Sequence, residues 1–340
     1  MKLKNKYKEG INTVVDYCII GSGNIALRHY KNIKHLDKKA KIIFCKRSKS
    51  KLHNDFIEND IEIIKSIHSI KPRSSKSLAV ICSPAISHIK DAIILAEKGF
   101  HILIEKPLSH NSLNIKKLIN IMNKKNTISL VGYNMRFTDR FEFLLKFLKN
   151  KDFNDIKKIN VYAHTDFRVW RKNKDYKDTV SFKKILGGGV INELSHEIDY
   201  IIFLFDEPNS VDVKSYKTSL KNIDVEYNIK ATFKYNRYCF DIDFQLNMLS
   251  KKNNRYFDIV LDDSNINIDH IANTIRIDDD EIMFNDTLDD SYVREINNIK
   301  KSISRNTETK LSIKKCCSTQ KVLDAMHMSL KNNKKVNIRV

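Results

Sequence analysis

A glutamate, a lysine and a proline follow one another at the end of a predicted buried strand. The apolar run 102–104 leads directly into Glu105, Lys106 and Pro107. Because proline cannot donate to a sheet ladder, the strand ends there, and the residue before a proline is held in extended geometry. A lysine fixed at a strand end can polarise an oxygen atom or, if it is desolvated, exchange a proton. The alternative is a strand-terminating turn with solvated charges.

A glycine-containing turn follows the first predicted strand. Residues 14–20 form a β-branched and apolar run, and the sequence then reads G-x-G-x-x-A beginning at Gly21. Only 8 glycines occur in 340 residues, so each is expected where the backbone needs it. The spacing predicts a dinucleotide site, because Gly21 permits a tight turn and Gly23 lets the backbone approach a pyrophosphate. The next helix would begin at Asn24 and Ile25 and offer N–H groups to the phosphates.

The second predicted strand, 40–45, ends in a basic loop that contains Lys46, Arg47 and Ser48. An NAD enzyme usually has an acidic residue here for the ribose 2′-hydroxyl, and the stretch 38–54 contains none. Cationic groups beside a hydroxyl suit a 2′-phosphate, so NADP is the expected cofactor and NAD the second candidate. A solvated basic loop is the alternative interpretation.

Strands and helices alternate through the first 134 residues. Ser83 and Pro84 follow the predicted strand 78–82, and the amphipathic helix 86–98 has His88 near its start. The alternation predicts a parallel, doubly wound sheet, which binds ligands at the carboxyl ends of its strands. His88 is expected either near the cofactor or in packing and capping at the start of the helix.

The pattern changes from Gly132 onwards. Alternating runs between 211 and 270 predict a largely antiparallel sheet, and helices near 289–304 and 313–331 close the chain. The fold class is therefore α/β. We expect an N-terminal Rossmann domain at 11–134 and a C-terminal α/β domain at 135–340.

Composition argues against several other classes of protein. The formal charge is +20, but the lysines are spread along the chain without a nucleic-acid-binding motif, so no specific nucleic-acid partner is expected. The chain shows neither a signal peptide nor an apolar stretch of membrane-spanning length, so no membrane partner is expected. Six scattered cysteines without a C-x-x-C pair indicate reduced thiols in the cytoplasm, with no disulfide framework and no metal site.

Five motifs follow one another along the chain. They are Gly21-Ser22-Gly23-Asn24-Ile25-Ala26, Cys82-Ser83-Pro84 with His88, Glu105-Lys106-Pro107, Gly132-Tyr133-Asn134-Met135-Arg136-Phe137, and Gly187-Gly188-Gly189 with His196 and Asp199. In this order they resemble the glucose–fructose oxidoreductase / inositol dehydrogenase (Gfo/Idh/MocA) family. The resemblance implies a Rossmann domain followed by a substrate-binding domain, whose large, open, mostly antiparallel sheet often forms the contacts of a homo-oligomer.

The resemblance also implies roles for single residues. Lys106 would contact the substrate hydroxyl beside the nicotinamide, His196 would be the usual acid/base candidate, and a cis peptide bond would precede Pro107. The residues implied to line the cofactor are Ser83, Pro84, Glu105 and Asn134.

One motif departs from the family pattern. Many members have Asp-x-x-x-His after the glycines, whereas here Glu193 precedes His196 by three positions. Spacings of three and four both fall on one helix face, so Glu193 or Asp199 is expected to orient His196. This variant resembles members from surface-sugar biosynthesis, as does the segment that contains Trp170 and Tyr176. The resemblance implies a sugar or nucleotide-sugar substrate.

Aromatic and basic residues of the second domain are the candidates for substrate contacts. Trp170, Arg171 and Tyr176 are expected either to hold a sugar ring and an anionic group or to pack as a loop against the sheet. Arg136 is expected either to face the site or to form a structural ion pair.

The expected reaction is hydride transfer between a carbinol carbon and a nicotinamide, on a sugar, nucleotide sugar or cyclitol. The hydroxyl proton must leave as the hydride leaves, and a group that titrates near neutral pH removes it best. His196 and a desolvated Lys106 both qualify, and the sequence does not choose between them. The other candidate functions are a non-catalytic dinucleotide-sensing regulator, a glycosidase that uses its nicotinamide transiently, and a basic nucleic-acid-binding protein.

Overall fold

The structure is a computed structural model that describes residues 13–46, 61–149, 151–169, 175–216 and 223–338. The sequence also predicts a helix around 54–59, and this segment and four predicted site residues lie outside this part of the chain. Those four residues are Arg47, Ser48, Trp170 and Arg171.

The chain divides into two compact units. The first unit comprises 1–134 and 288–317, and the second comprises 135–287 and 318–340. The sequence-based division at 134/135 assigns the whole C-terminal part to the second domain. The segment 288–317 instead packs with the first unit.

The helices and strands are numbered in chain order. The helices are α1 Asn24–Leu36, α2 His88–Glu97, α3 Ile115–Lys125, α4 Asp139–Leu148, α5 Val190–Glu193, α6 Ser195–Phe205, α7 Leu288–Arg305 and α8 Ile313–Asn332. The strands are β1 Thr13–Val15, β2 Tyr17–Ile20, β3 Ile42–Cys45, β4 Ile63–Ile64, β5 Ile70–Pro72, β6 Leu78–Ile81, β7 His101–Glu105, β8 Ser129–Gly132, β9 Ile156–Asp166, β10 Ser210–Ser215, β11 Asn228–Lys234, β12 Ile242–Asn247, β13 Leu249–Leu261, β14 Asn265–Asp269, β15 Thr274–Ile277, β16 Asp280–Met283 and β17 Val336–Asn337.

The first unit contains the predicted parallel sheet. In the described residues six strands follow the order β4-β3-β2-β6-β7-β8, and every pair is parallel. Strands β2, β3, β6 and β7 are buried at every position, which explains their continuous apolar sequences. Ile20, Ile81 and Ile104 are aligned across β2, β6 and β7. The loops after these three strands therefore leave the sheet at one edge.

The first predicted strand is divided in two at Asp16. The run 14–20 was expected to be one strand, but β1 pairs with β5 in a separate two-stranded parallel sheet, and β2 enters the main sheet. The Asp16 side chain accepts a hydrogen bond of 2.9 Å from the backbone N–H of Lys41, and the backbone N–H groups of Asp16 and Tyr17 both donate to the Lys41 carbonyl at 3.1 Å. These bonds at the bend explain why the strand changes partner.

The second unit contains a sheet that is mostly antiparallel, as predicted. In the described residues nine strands follow the order β16-β15-β14-β13-β9-β12-β11-β10-β17, and β9 with β12 is the parallel pair. One core joins the sheet to residues of α4, α6 and α8. Close aromatic pairs fill this core, including Phe233 with Phe244, whose ring centroids are 4.4 Å apart. Strands β15 and β16 were missed because their segment is short and acidic.

The glycine cluster at 187–189 is required by close backbone contacts. A Cβ atom on Gly188 would lie 2.4 Å from the carbonyl oxygen of Val180 and 2.6 Å from that of Ser181. Gly189 has a φ of +115°, and a Cβ atom there would lie 2.3 Å from the Glu226 carboxylate. The cluster therefore holds the chain tightly against its neighbours just before α5 begins.

We expect Gly188→Ala to destabilise the protein by about 1–3 kcal/mol, because two backbone carbonyls would have to move. Denaturant unfolding of the purified protein measures this loss. Gly23→Ala is the matched control, since no atom lies within 4 Å of the added Cβ and φ is −87°. Equal stability of the two variants would contradict the crowding at Gly188.

Candidate functional site

Three loops of the first unit meet at the carboxyl edge of the parallel sheet. They follow β2 at Gly21, β6 at Cys82 and β7 at Lys106. Gly21 has a φ of +119°, and a Cβ atom there would lie 2.6 Å from the Cys82 carbonyl oxygen. The first loop therefore presses directly against the second, which only glycine permits.

The N-terminus of α1 is open and uncapped. Gly23 occupies the N-cap position without a side-chain hydrogen bond to the helix, and a Cβ atom there would meet nothing within 4 Å. Backbone N–H groups in the first turn of a helix have no intrahelical partner, and they attract anions. The open space at Gly23 fits a pyrophosphate, and Asn24 and Ile25 are the first two residues of the helix at this point.

Glu105 is fixed by contacts with both of its carboxylate oxygens. It ends β7 and is 6% exposed. Its Oε1 lies 2.6 Å from Nε2 of His29 on α1, and its Oε2 accepts a 3.2 Å hydrogen bond from the backbone N–H of Lys106. The next peptide bond, between Lys106 and Pro107, is cis, as the family resemblance implied. The carboxyl group of Glu105 thus holds the backbone of the candidate lysine through this hydrogen bond.

His88 joins two of the loops. Its Nδ1 lies 2.9 Å from the Pro107 carbonyl oxygen, and its Nε2 lies 2.7 Å from the carbonyl oxygen of Ser83. The Ser83 hydroxyl donates to the buried carboxylate of Asp91 at 2.8 Å. Burial lowers the pKa of His88, and the two carbonyls oppose that effect. Both ring nitrogens of His88 face backbone carbonyl oxygens, an arrangement that favours the packing role at the helix start over the cofactor role.

Two further predicted cofactor residues are buried in the first unit. The Asn134 amide donates a 2.7 Å hydrogen bond to the Ser291 hydroxyl on α7. Lys46 follows β3 with its backbone N–H bonded to the Ile64 carbonyl, and burial lowers the pKa of its ammonium group. Pro84 precedes a short 3₁₀ turn and accepts a backbone hydrogen bond from Ser87.

Helix α7 contributes to this region although it carries no recognisable motif. The ring of Tyr292 packs edge-on against His29 with centroids 5.7 Å apart, and the Arg28 guanidinium lies 5.1 Å from the Tyr292 ring centroid. Burial raises the pKa of Tyr292. The sequence predicted α7 only as one of the two helices that end the chain. The amphipathic spacing of its buried residues was the one signal in the sequence that this helix contributes to the region.

In the second unit, Glu193 and His196 do not share a helix. Glu193 ends α5 and His196 lies in the first turn of α6, because the chain turns at Leu194 with φ −102° and ψ 31°. The argument that a spacing of three places both on one helix face is therefore wrong. His196 is buried, at 8% exposed.

Asp199 has partners other than His196. It accepts hydrogen bonds from Nε and Nη2 of Arg136, at 2.7 and 3.0 Å, and from the Thr319 hydroxyl at 3.0 Å. Burial raises the pKa of Asp199, and Arg136 opposes that effect. The Arg136 guanidinium also lies 4.2 Å from the Phe203 ring centroid. These contacts correspond to the structural ion pair, one of the two alternatives for Arg136, and they engage both oxygens of the Asp199 carboxylate.

The remaining described candidate is Tyr176. It begins a 3₁₀ turn and packs edge-on against Phe182, with ring centroids 5.1 Å apart. Sequence reasoning did not identify Glu197, which is fully buried and accepts a 2.6 Å hydrogen bond from Arg255.

The structure also bears on metal binding and on membrane spanning. In the described residues no group of three or more His, Cys, Asp or Glu side chains is placed to hold a metal ion. No helix in these residues is long and apolar enough to cross a bilayer.

Curated relatives match part of this chain. Levoglucosan dehydrogenase of Pseudarthrobacter phenanthrenivorans is 28% identical over 133 residues, which are 38% of this chain and 33% of the relative. Myo-inositol 2-dehydrogenase of Thermotoga maritima is 26% identical over 133 residues, 39% of this chain and 40% of the relative. The matched region thus spans well under two thirds of these relatives.

Solved structures match over nearly the whole length. Levoglucosan dehydrogenase in complex with NADH and levoglucosan has a TM-score of 0.78 at 16% identity, and the match covers 96% of this chain and 100% of that one. The WlbA dehydrogenase from Bordetella pertussis, in complex with NADH and UDP-GlcNAcA, has a TM-score of 0.79 at 17% identity and covers 97% and 99%. At these identities the likeness establishes the fold.

Two family models match consecutive parts of the chain. The oxidoreductase family, NAD-binding Rossmann fold, matches residues 15–133, and the oxidoreductase family, C-terminal alpha/beta domain, matches residues 148–338. Together they cover most of the chain and agree with the motifs at the sheet edge. The chain therefore belongs to the Gfo/Idh/MocA oxidoreductase family.

Proposed function

We propose that the protein is an NAD(P)-dependent dehydrogenase or reductase that acts on a hydroxyl or carbonyl carbon of a sugar, nucleotide sugar or cyclitol. The observation that carries the proposal is the position of Lys106, held by Glu105 at the sheet edge where the loops after Gly21 and Ser83 also emerge. Relatives named for levoglucosan and inositol, and a neighbour crystallised with a nucleotide sugar, support the substrate class.

The cofactor would be held by the turn at Gly21 and Gly23 and by the uncapped N-terminus of α1. The nicotinamide, when bound, supplies or accepts the hydride. Lys106 polarises the substrate oxygen and stabilises the charge that develops on it. Lys106 or His196 takes the hydroxyl proton, and both remain candidates for the base.

Three further features belong to the proposal. A basic loop after β3 would favour NADP, and the open sheet of the second unit would form a homo-oligomer. The cysteines are all free thiols, which favours a reducing compartment such as the cytoplasm.

Gly23→Ala is expected to weaken NADH binding at least about tenfold while stability is unchanged, because the added methyl group fills space that the pyrophosphate needs. Titration of nicotinamide fluorescence measures the affinity, and thermal unfolding measures stability. Gly188→Ala is expected to give the opposite result. This variant should be less stable than wild type, and at a temperature where it is folded its affinity for NADH should be retained. Unchanged NADH affinity of the Gly23 variant would place the phosphates elsewhere.

Lys106→Ala is expected to lower turnover of the best sugar substrate by about 10²-fold or more, since the developing charge loses its stabilising partner. NADH affinity should change only a few-fold. Steady-state rates on a panel of sugars, cyclitols and nucleotide sugars provide the measurement. A variant with wild-type turnover would remove Lys106 from the mechanism.

Arg47→Glu is expected to weaken NADPH binding by about tenfold or more relative to NADH, because it replaces a charge that suits a 2′-phosphate. Lys39→Glu is the control, since Lys39 is an exposed residue before β3. Fluorescence titrations with both nucleotides give the ratio. Equal losses for the two cofactors would argue against NADP preference.

A further inference from the structure

One histidine of the first unit is fully buried, although the mechanism above gives it no role. His29 lies on α1, and none of its side chain is exposed. Its Nδ1 has no hydrogen-bond partner in the described part of the chain, whereas its Nε2 lies 2.6 Å from Oε1 of Glu105. A polar ring is costly to bury unless it is hydrogen-bonded. The contact with Glu105 is thus the interaction that offsets the burial of this ring.

The carboxyl group of Glu105 makes a hydrogen-bond contact with each of its oxygens. Oε1 faces His29, and Oε2 accepts a 3.2 Å hydrogen bond from the backbone N–H of Lys106. Strand β8 limits the group on another side, since a Cβ atom on Gly132 would lie 3.2 Å from Oε2 and 3.3 Å from the carboxyl carbon. When a carboxyl group turns about its last side-chain bond, both oxygens move together. Release of Oε1 would therefore also free Oε2 from Lys106.

These contacts do not depend on which residue carries the proton between them. If the proton is on Nε2 of His29, the ring donates to a carboxylate, and if it is on Oε1 of Glu105, the acid donates to the ring. The 2.6 Å contact is a hydrogen bond in both cases, and Oε2 accepts from the Lys106 N–H in both cases. The geometry alone thus links His29 to the Lys106 backbone.

We propose that His29 is a positioning residue for Lys106. It retains Oε1 of Glu105, which keeps Oε2 on the backbone N–H of Lys106 and sets where the lysine leaves the sheet edge. The effect of His29 on turnover rests on the proposed function, whereas its effect on the Lys106 backbone does not. The helix that begins beside Gly23 therefore also holds the loop of the candidate catalytic lysine.

The first test uses variants of His29 that differ in reach. His29→Leu removes the hydrogen bond, and His29→Asn has an amide that is too short to meet Oε1. His29→Gln places its amide about as far from the backbone as Nε2, and an amide can both donate and accept. We expect kcat on the best sugar substrate to fall about tenfold or more in the leucine and asparagine variants, because a misplacement of about 1 Å can cost about 10²-fold.

His29→Gln should recover most of the lost turnover, and NADH affinity should stay close to that of wild type in all of these variants. Steady-state rates and fluorescence titration provide the two measurements. The asparagine variant keeps the test decisive if the leucine variant does not fold. Wild-type turnover in the leucine and asparagine variants, or an equal loss in the glutamine variant, would overturn the proposal.

Ile33→Ala is the matched control from the same helix. Ile33 is 1% exposed, and its side chain has no group that could hydrogen-bond to Glu105. Its removal leaves a cavity, so the variant should melt at a lower temperature than wild type. The kcat of the folded variant should nevertheless stay near the wild-type value. A loss of kcat as large as that of His29→Leu would assign the effect to general destabilisation of α1 and contradict a positioning role.

A double-mutant cycle with Lys106→Ala tests whether His29 acts through the lysine. A residue that only positions Lys106 has nothing to position once the ammonium group is gone, so the effects of the two substitutions should not add. We expect His29→Leu to lower kcat about tenfold in the wild-type background and to leave it unchanged in the Lys106→Ala background. The same fold-loss in both backgrounds would show that His29 acts by another route.

The link to the Lys106 backbone is measured without turnover. In protein labelled with ¹⁵N-lysine, the Lys106 amide resonance is assigned by its disappearance in Lys106→Arg. It should move upfield in His29→Leu, where the amide proton loses its hydrogen bond, and return towards the wild-type position in His29→Gln. An unmoved resonance in His29→Leu would overturn the proposal. Failure of the proposed function would appear separately, as wild-type turnover in Lys106→Ala with the resonance shift of His29→Leu retained.

Discussion

The architecture of the first unit depends on the contacts of one buried carboxyl group. Glu105 is 6% exposed at the end of β7, where both of its oxygens must be satisfied. His29 satisfies one oxygen from α1, and the Lys106 backbone satisfies the other. Gly132 on the neighbouring strand leaves the carboxylate room, since a Cβ atom there would lie 3.2 Å from Oε2. The contacts of this one carboxyl group therefore fix a helix, a loop and a strand around Lys106.

The loops at the sheet edge are joined to one another by main-chain groups. His88 connects the carbonyl oxygens of Ser83 and Pro107, and Gly21 lies against the carbonyl of Cys82. Main-chain atoms move less readily than side-chain tips, so these contacts hold the three loops as one frame. Such a frame suits hydride transfer, because a misplacement of the reacting atoms by about 1 Å can cost about 10²-fold in rate.

The sequence predicted those features that follow from local pattern. Parallel strands with continuous apolar runs, the turn at Gly21 and the strand end at Pro107 each depend on a few adjacent residues. The division at Asp16 was not predicted, because it depends on hydrogen bonds with Lys41, 25 positions away. Ser291 was missed for the same reason. It accepts a hydrogen bond from Asn134, more than 150 positions earlier in the chain, and only folding brings the two residues together.

Helix α6 of the second unit shows how buried charges can set geometry rather than add stability. Glu197 and Asp199 are both buried, and arginines from other segments, Arg255 and Arg136, pair with them. Buried ion pairs contribute little net stability, but loss of one partner leaves an uncompensated charge, so the pairs tolerate few alternative arrangements. The helix that carries His196 is thereby fixed on two sides. Of the ionisable residues at 196, 197 and 199, the histidine is the one whose ordinary pKa lies near neutral pH.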